Sequence, residues 1–517
     1  MAQNASERRL FLVYFAVFAV EILLLSLADL QGLMSFRWFA FCDAGNNLSI
    51  QYLLSHGYQP TTDFAYHYGL LSAFLGQLWL GAFGNTPAAY QAAVTACDLL
   101  IVLAFARIAA GLRLGAFGIA LMLVGMLFAV PRSYIDFAHA LEATLICYGL
   151  AEQARGNRPG ALAFSSAAVL SVPSMGYFYS LLLLILIAVE LRERPSDRFR
   201  AWVRALAPAS IVFAGLLILL ALDFGIVPLI HNTLPVSGIT DYRTLHYGFF
   251  RGTGRLFWEE DPTQGWLYYL RSPAGFWIFL TLYLIMAAIA TLREAFAEAI
   301  FKLPARRELI VTCAVLHVAF VTLFFGNKYS WIYYPYLLVV GVAAAVDIAP
   351  VYRRLAVPLL LVGAISLISP LHAFEKEWAT RERGAATVGL WAQPQVFDEW
   401  THVLDLVRGH RATAFYRLGG VQTLFPQLGP PVTTFLHRGL ATHAEMQRKL
   451  AQLGQAQMVI VPLGPPGTCF VPPDLPQLDS ALRTRFTPIW KGRYFEVLRK
   501  RRRSQTMASA SGRERGC

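Results

Sequence analysis

Apolar residues fall in long unbroken runs rather than in alternation. The first, Leu10–Ala28, follows a Ser-Glu-Arg-Arg stretch. It exceeds a signal-peptide core and no Ala-x-Ala site follows, so it reads as a signal anchor or first transmembrane helix. Further runs cover 87–106, 115–130, 134–152, 161–173, 174–190, 205–222, 273–292, 308–325, 332–349 and 355–371. Since about 20 apolar residues cross the hydrocarbon, the pattern predicts about eleven spans. Ser-Val-Pro-Ser interrupts 161–190, which reads as two short helices broken at Pro173. One more apolar segment, Gly69–Gly84, is short and decides the topology. Laid on the membrane surface, it leaves 17 of the 24 basic residues before position 372 in cytoplasmic loops. Made to span, it reverses every later loop, against the positive-inside rule. The surface arrangement puts the N-terminus in the cytoplasm. Loops 30–86, 131–133, 223–272 and 326–331, and all residues beyond 371, then face outward, which in a bacterium is the periplasm.

At 517 residues the chain has room for about three soluble domains. Its composition excludes that arrangement: 56% of residues are hydrophobic, 15% are charged and the mean hydropathy is +0.48. A disordered chain, a collagen and a disulfide-stapled scaffold are excluded as well. The charges are uneven, with 45 among residues 1–371 and 31 among the 146 that follow. The expected plan is a polytopic α-helical membrane domain at 1–371, a small α/β outer domain at 372–503 and a disordered tail at 504–517. In the outer domain, Ala412–Tyr416, Met458–Pro462 and Tyr494–Leu498 read as strands. Thr442–Leu453 reads as an amphipathic helix capped by Thr442, with Glu445 three residues on. The net charge of +12 belongs to loop arginines and a basic stretch at 499–503. No nucleic-acid-binding signature accompanies it. The six cysteines form no CxxC pair and imply neither a metal cluster nor a disulfide framework.

The most informative stretch is the first outer loop. Asp43 follows the first helix, and an amphipathic helix is expected over 44–55. Then comes Gly57-Tyr58-Gln59-Pro60-Thr61-Thr62-Asp63-Phe64, followed by Ala65-Tyr66-His67-Tyr68-Gly69-Leu70. Acids at the mouth of a membrane domain are costly to desolvate, which makes them candidates for chemistry. Asp43 is equally well placed to cap the helix after it. Asp136 opens the 134–152 run, where it either serves a site or offsets the helix dipole. His139 and Glu142, on the same helix, are weaker candidates.

This pattern resembles the GT-C superfamily of integral-membrane glycosyltransferases, among them the protein O-mannosyltransferases, the lipid A aminoarabinose transferase and lipopolysaccharide-type transferases. In that superfamily an acid, an amphipathic helix, a G-x-P-Y-x-D-F turn and a Y-G-P-L motif follow one another in loop one. Asp43, helix 44–55, Gly57–Phe64 and Tyr68-Gly69-Leu70-Leu71 are similar, with Leu70 in place of the usual proline. Phe83-Gly84-Asn85 before the second span is similar too. Asn327-Lys328-Tyr329-Ser330-Trp331-Ile332-Tyr333-Tyr334-Pro335 resembles the family's basic-aromatic K/R-x-x-Y-Y-x-P turn.

The resemblance implies a GT-C-like fold with outer juxtamembrane helices. It implies transfer of a sugar from a polyprenyl-phosphate donor to a hydroxyl of a glycan, lipid or protein, with Asp43 as general base and Asp136 beside it. A departing lipid phosphate needs positive charge. Lys328 matches the family turn, Arg251 and Arg255 are spaced i,i+4 in a Gly-rich loop, and His67 lies in loop one. Asp63, Tyr66, Tyr68, Tyr333 and Tyr334 are candidates for donor or acceptor binding. Some members use a divalent metal; His231 and His246 are the candidate ligands here, and no spacing ties them together. The competing class is a lipid or solute transporter. It predicts internal repeats and midplane charges, whereas the chain shows no convincing repeat and only scattered mid-span acids, Glu21, Asp98 and Glu152.

Overall fold

The computed structural model describes residues 8–20, 34–41, 43–64, 66, 68–133, 137–192, 198–234, 280, 282–287, 289, 310–311, 314–316, 335–346, 350–378, 381–415, 419–431, 442–463 and 476–501. The chain divides into two compact units. One comprises Met1–Leu30, His67–Leu75 and Ala92–Lys376, the other Gln31–Tyr66, Gly76–Gln91 and Glu377–Cys517.

The first unit is helical where described. Its helices include Ala116–Ser133, Phe137–Arg155, Arg158–Ser171, Pro173–Arg192, Arg198–Phe224, Ile226–Thr233, Pro335–Ala345 and Pro350–Trp378. Among the described residues, Pro87–Leu112 and Phe199–Phe224 are long and apolar enough to cross a membrane. Leu70–Phe83, Ala116–Met126, Gly176–Ile185 and Tyr336–Ala345 are apolar but shorter. The runs expected at 273–292 and 308–325 lie mostly outside the described residues. The helix Arg198–Phe224 shows how such a segment presents itself. Leu222 is 81% exposed and Ile211 73%. Such a surface is unfavourable in water and at home in hydrocarbon. The boundary expected after residue 371 falls inside the helix Pro350–Trp378.

The break at Pro173 has a local cause. Proline lacks the N–H that a continuous helix would use, so the chain turns at Val172, which is extended at φ −138° and ψ 98°. The turn strands the last carbonyls of Arg158–Ser171. The Ser171 carbonyl accepts from the Gly69 N–H at 2.7 Å and from the Ser72 hydroxyl at 3.2 Å. A side chain on Gly69 would collide with the Leu170 carbonyl, so the glycine of Tyr68-Gly69 is required sterically. Glu152, read from the sequence as a mid-span acid, sits in the last turn of Phe137–Arg155. There it meets Arg155 at 3.4 Å, Arg107 at 3.8 Å and the Asn157 amide at 2.6 Å.

The second unit holds a four-stranded sheet of order β1-β2-β4-β3, with β1 Ala412–Ala414, β2 Met458–Pro462, β3 Phe486–Lys491 and β4 Phe495–Lys500. β1 runs parallel to β2, while β2–β4 and β4–β3 are antiparallel. Three of these strands fall where apolar pieces predicted them. β3 was not predicted, because Thr487, Pro488 and Lys491 break its apolar pattern. The Glu399 carboxylate pins the β3–β4 hairpin, accepting from the Arg493 N–H at 2.8 Å and the Tyr494 N–H at 2.9 Å. Phe415, Leu453, Val459, Leu478, Phe486 and Leu498 form the core beneath the sheet. Thr442 caps the helix His443–Gln455 as expected, its hydroxyl accepting from the Glu445 N–H at 3.1 Å.

One expectation is corrected here. The helix after the loop-one acid, Asp43–Ser55, is not amphipathic in its surroundings. Asn46, Asn47, Ser49 and Gln51 are as buried as Leu48 and Leu53. Their polarity suggested a wet face, but that face is covered by chain remote in sequence.

Lys449 is fully buried on His443–Gln455. Its ammonium group donates to the Ala414 carbonyl and, at 3.4 Å, to Gln452 Oε1. Burial pushes its pKa down to about 7, partly offset by the nearby Glu445. Between that value and the ordinary 10.5, the unfolded chain holds a proton that the folded chain lacks. Stability therefore rises with pH across this window and is flat with respect to this group below it. Thermal unfolding between pH 7 and pH 10 should show that rise in the wild type, and Lys449→Met should flatten it.

Candidate functional site

Asp43 is the first residue of the helix Asp43–Ser55, one position inside the cap place expected for it. This helix is fixed by backbone contact. A side chain on Gly45 would collide with the Phe39 carbonyl, and so would one on Gly420, which would also come within 2.8 Å of the Gly45 Cα. Three backbones thus meet where no Cβ can stand: the helix Phe36–Phe41, the helix Asp43–Ser55 and the helix Gly419–Leu424. One turn further on, the Ser49 and Thr423 hydroxyls lie 3.0 Å apart. Aromatic packing secures the segment before Asp43. Phe36 packs at a tilt against Trp400 at 5.6 Å and meets Phe425 edge-on at 6.4 Å. The Phe36 N–H donates to the Trp391 carbonyl at 2.7 Å, and the Trp391 N–H to the Met34 carbonyl at 3.0 Å.

The Gly57–Phe64 segment is a closed turn. The Asp63 carboxylate accepts from the Gln59 N–H at 2.8 Å, and the Thr61 N–H donates to the Phe64 carbonyl at 2.8 Å. Thr61 is left-handed at φ 66°, a conformation a β-branched residue adopts only when its surroundings enforce it. The turn is also held by a segment 379 residues further along the chain. The Asp63 carbonyl accepts from the Thr442 hydroxyl at 3.1 Å and from the Arg448 guanidinium. That guanidinium also lies over the Tyr58 ring, 4.7 Å from its centre. Thr442 therefore uses its lone pair to cap its own helix and its proton to hold the turn. Asp63, a candidate for ligand binding, has the Gln59 N–H as a carboxylate partner.

In the first unit, Tyr68 is buried with its ring edge-on to the His139 imidazole at 5.3 Å. His139 Nδ1 lies 3.3 Å from Glu142 Oε2, and Glu142 is fully buried. Helical i,i+3 spacing brings the last two together. The structure thus gives the weaker candidates of this helix a shared place with Tyr68. Tyr66 is buried in the second unit. His231 stands exposed in the last turn of Ile226–Thr233. Among the described residues no three His, Cys, Asp or Glu side chains gather as for a metal ion. Asp136, His67, Lys328, Arg251, Arg255, Tyr333, Tyr334 and His246 lie outside the described residues. The sequence did not point to Gly420, Thr423 or Arg448. Their only local signals were a Gly-Gly pair and an arginine on a helix, and neither names a partner.

No family model matches the sequence, and no curated protein matches it. Two solved structures of ArnT from Cupriavidus metallidurans are similar to this chain. One is bound to undecaprenyl phosphate, with 13% identity and a TM-score of 0.35. The other is in the apo state, with 11% identity and a TM-score of 0.38. Each alignment covers 93% of this chain and 97% of the other. At that level of similarity neither a shared fold nor a shared reaction follows.

Proposed function

We propose that this chain is a membrane glycosyltransferase that moves a sugar from a polyprenyl-phosphate donor to a hydroxyl acceptor on the outer face of a bacterial inner membrane. The observation that carries the reading is loop one. There an acid opens a largely buried helix and is followed by the Gly57–Phe64 turn and Tyr68-Gly69, the order of motifs seen in GT-C enzymes. A helix fixed by close backbone contact at Gly45 suits a group that must meet a reacting atom within a fraction of an ångström.

In this reading the acceptor oxygen attacks the anomeric carbon while the Asp43 carboxylate takes its proton. The bond from that carbon to the phosphate oxygen breaks, and polyprenyl phosphate leaves as an anion. It needs no proton on departure, but its growing charge needs cations. Lys328 is assigned first to that role, with Arg251, Arg255 and His67 in support. Asp136 orients the acceptor or tunes Asp43. Tyr66, Tyr68, Tyr333 and Tyr334 bind sugar or lipid phosphate, and the C-terminal domain covers the site or helps bind the acceptor. A divalent metal, if the enzyme uses one, would be held by His231 and His246 and would supply positive charge for the departing phosphate.

The test is turnover by the full-length protein in nanodiscs with a panel of polyprenyl-phosphate sugars. The wild type should transfer or slowly hydrolyse one of them. Asp43→Asn should bind that donor and fold normally, because asparagine still suits a helix start, yet lose transfer. Asp63→Asn should keep transfer, since an amide oxygen can still accept from the Gln59 N–H. Lys328→Ala should raise the KM for donor more than that for acceptor. Transport of a lipid or solute across liposomes, with no lipid-linked sugar bound, would replace this reading with the transporter.

A further inference from the structure

We infer that Gly420, in the C-terminal part of the chain, is a positioning residue for Asp43; this rests on the glycosyltransferase reading. Asp43 lies between Phe39 and Gly45 in sequence, and Gly420 touches both. A Cβ on Gly420 would meet the Phe39 carbonyl on one side and the Gly45 Cα, at 2.8 Å, on the other. The backbone that bears the acid is therefore bracketed by two contacts with one residue. No flexible side chain can absorb the strain of an added methyl, because every atom involved is backbone.

The surroundings close off other adjustments. The helix Asp43–Ser55 is buried from Ala44 to Gln51, so sliding it outward would expose Leu48, Ile50 and Leu53. The Ser49–Thr423 hydroxyl contact at 3.0 Å fixes its register against Gly419–Leu424. The helix Gly419–Leu424 is itself anchored, since the Gln422 amide donates to the Leu428 carbonyl at 3.1 Å and to Thr413 Oγ1 of β1 at 3.3 Å. A second hold acts downstream, where Thr442 and Arg448 grip the Asp63 carbonyl. The C-terminal chain thus fixes the backbone on both sides of Asp43. Crowding at Gly420 would press directly on the segment carrying Asp43.

The test uses full-length protein in nanodiscs and the polyprenyl-phosphate sugar that the wild type turns over. Gly420→Ala should keep the number of donor-binding sites per protein while turnover per site falls about 100-fold, the cost of misplacing a reacting group by about 1 Å. Combined with Asp43→Asn it should add no further loss, because both act through the same carboxylate. Wild-type turnover by Gly420→Ala overturns the proposal, as does an additive loss in the double variant. Should Gly420→Ala fail to fold, the pair Ser49→Cys and Thr423→Cys gives an independent reading. Oxidation should link residues 49 and 423, identified by mass spectrometry of the joined peptides, and the linked protein should keep wild-type turnover. A link that abolishes turnover reversibly, or no link at all, overturns the proposal. If the link forms and the wild type turns over no donor, the transferase reading itself has failed and the role of Gly420 falls with it.

Discussion

The contact among Phe39, Gly45 and Gly420 is the constraint on which the second unit depends. A carbonyl and two glycines meet at a distance that excludes even a methyl group. Contact this close is available only to backbone, and it is specific because a shift of one residue would bring in a side chain. It joins parts of the chain more than 370 residues apart. In the same unit the aromatic rings of Phe36, Trp400, Phe425 and Phe495 pack together, with Trp400 touching each of the other three. Such ring pairs contribute about 0.5–1.5 kcal/mol each beyond the area they bury.

Polar groups follow the same economy. Where the helix breaks at Pro173, the freed carbonyl of Ser171 is met by Gly69 and Ser72. Where the Gly57–Phe64 turn forces Thr61 into the left-handed region, its outer carbonyl is met by Thr442 and Arg448. In both places a local departure from regular structure is tolerated because a distant segment supplies the missing donor. Removing a donor of this kind leaves a buried acceptor whose desolvation costs about 1–3 kcal/mol. The two glycines of loop one that matter most, Gly45 and Gly69, both serve close approach rather than flexibility.

Charge is handled by position. Glu152 lies at a helix end among Arg107, Arg155 and Asn157, so its presence in an apolar run carries no implication of a midplane site. Lys449 is the opposite case, an amine kept from water whose pKa burial pushes down to about 7, held by a backbone carbonyl at the end of β1. Glu142 is buried beside His139 at the start of its helix, close to the ring of Tyr68. That grouping gives the helix more chemistry than its sequence alone advertised.

Much of this architecture was legible in the amino-acid order, because the signals involved are local. Hydropathy marked the helical runs, a missing N–H marked the break at Pro173, and a threonine three residues before a glutamate marked the cap at Thr442. Alternation of apolar pieces marked β1, β2 and β4. Loop one drew attention through its acids and its Gly/Pro turn, and Asp43 does open a helix. What the order of residues could not express is which distant surfaces meet. Asn46, Ser49 and Gln51 looked like a wet face, since polarity is local and burial is not. Asp63 looked like a ligand-binding acid, and nothing local showed that its carboxylate also closes its own turn. Gly420 and Arg448 carried no mark of their importance, because a glycine's value lies in the atom that presses on it and an arginine's in the carbonyl it reaches. Those partners are set by long-range packing, and only the tertiary structure brings them together.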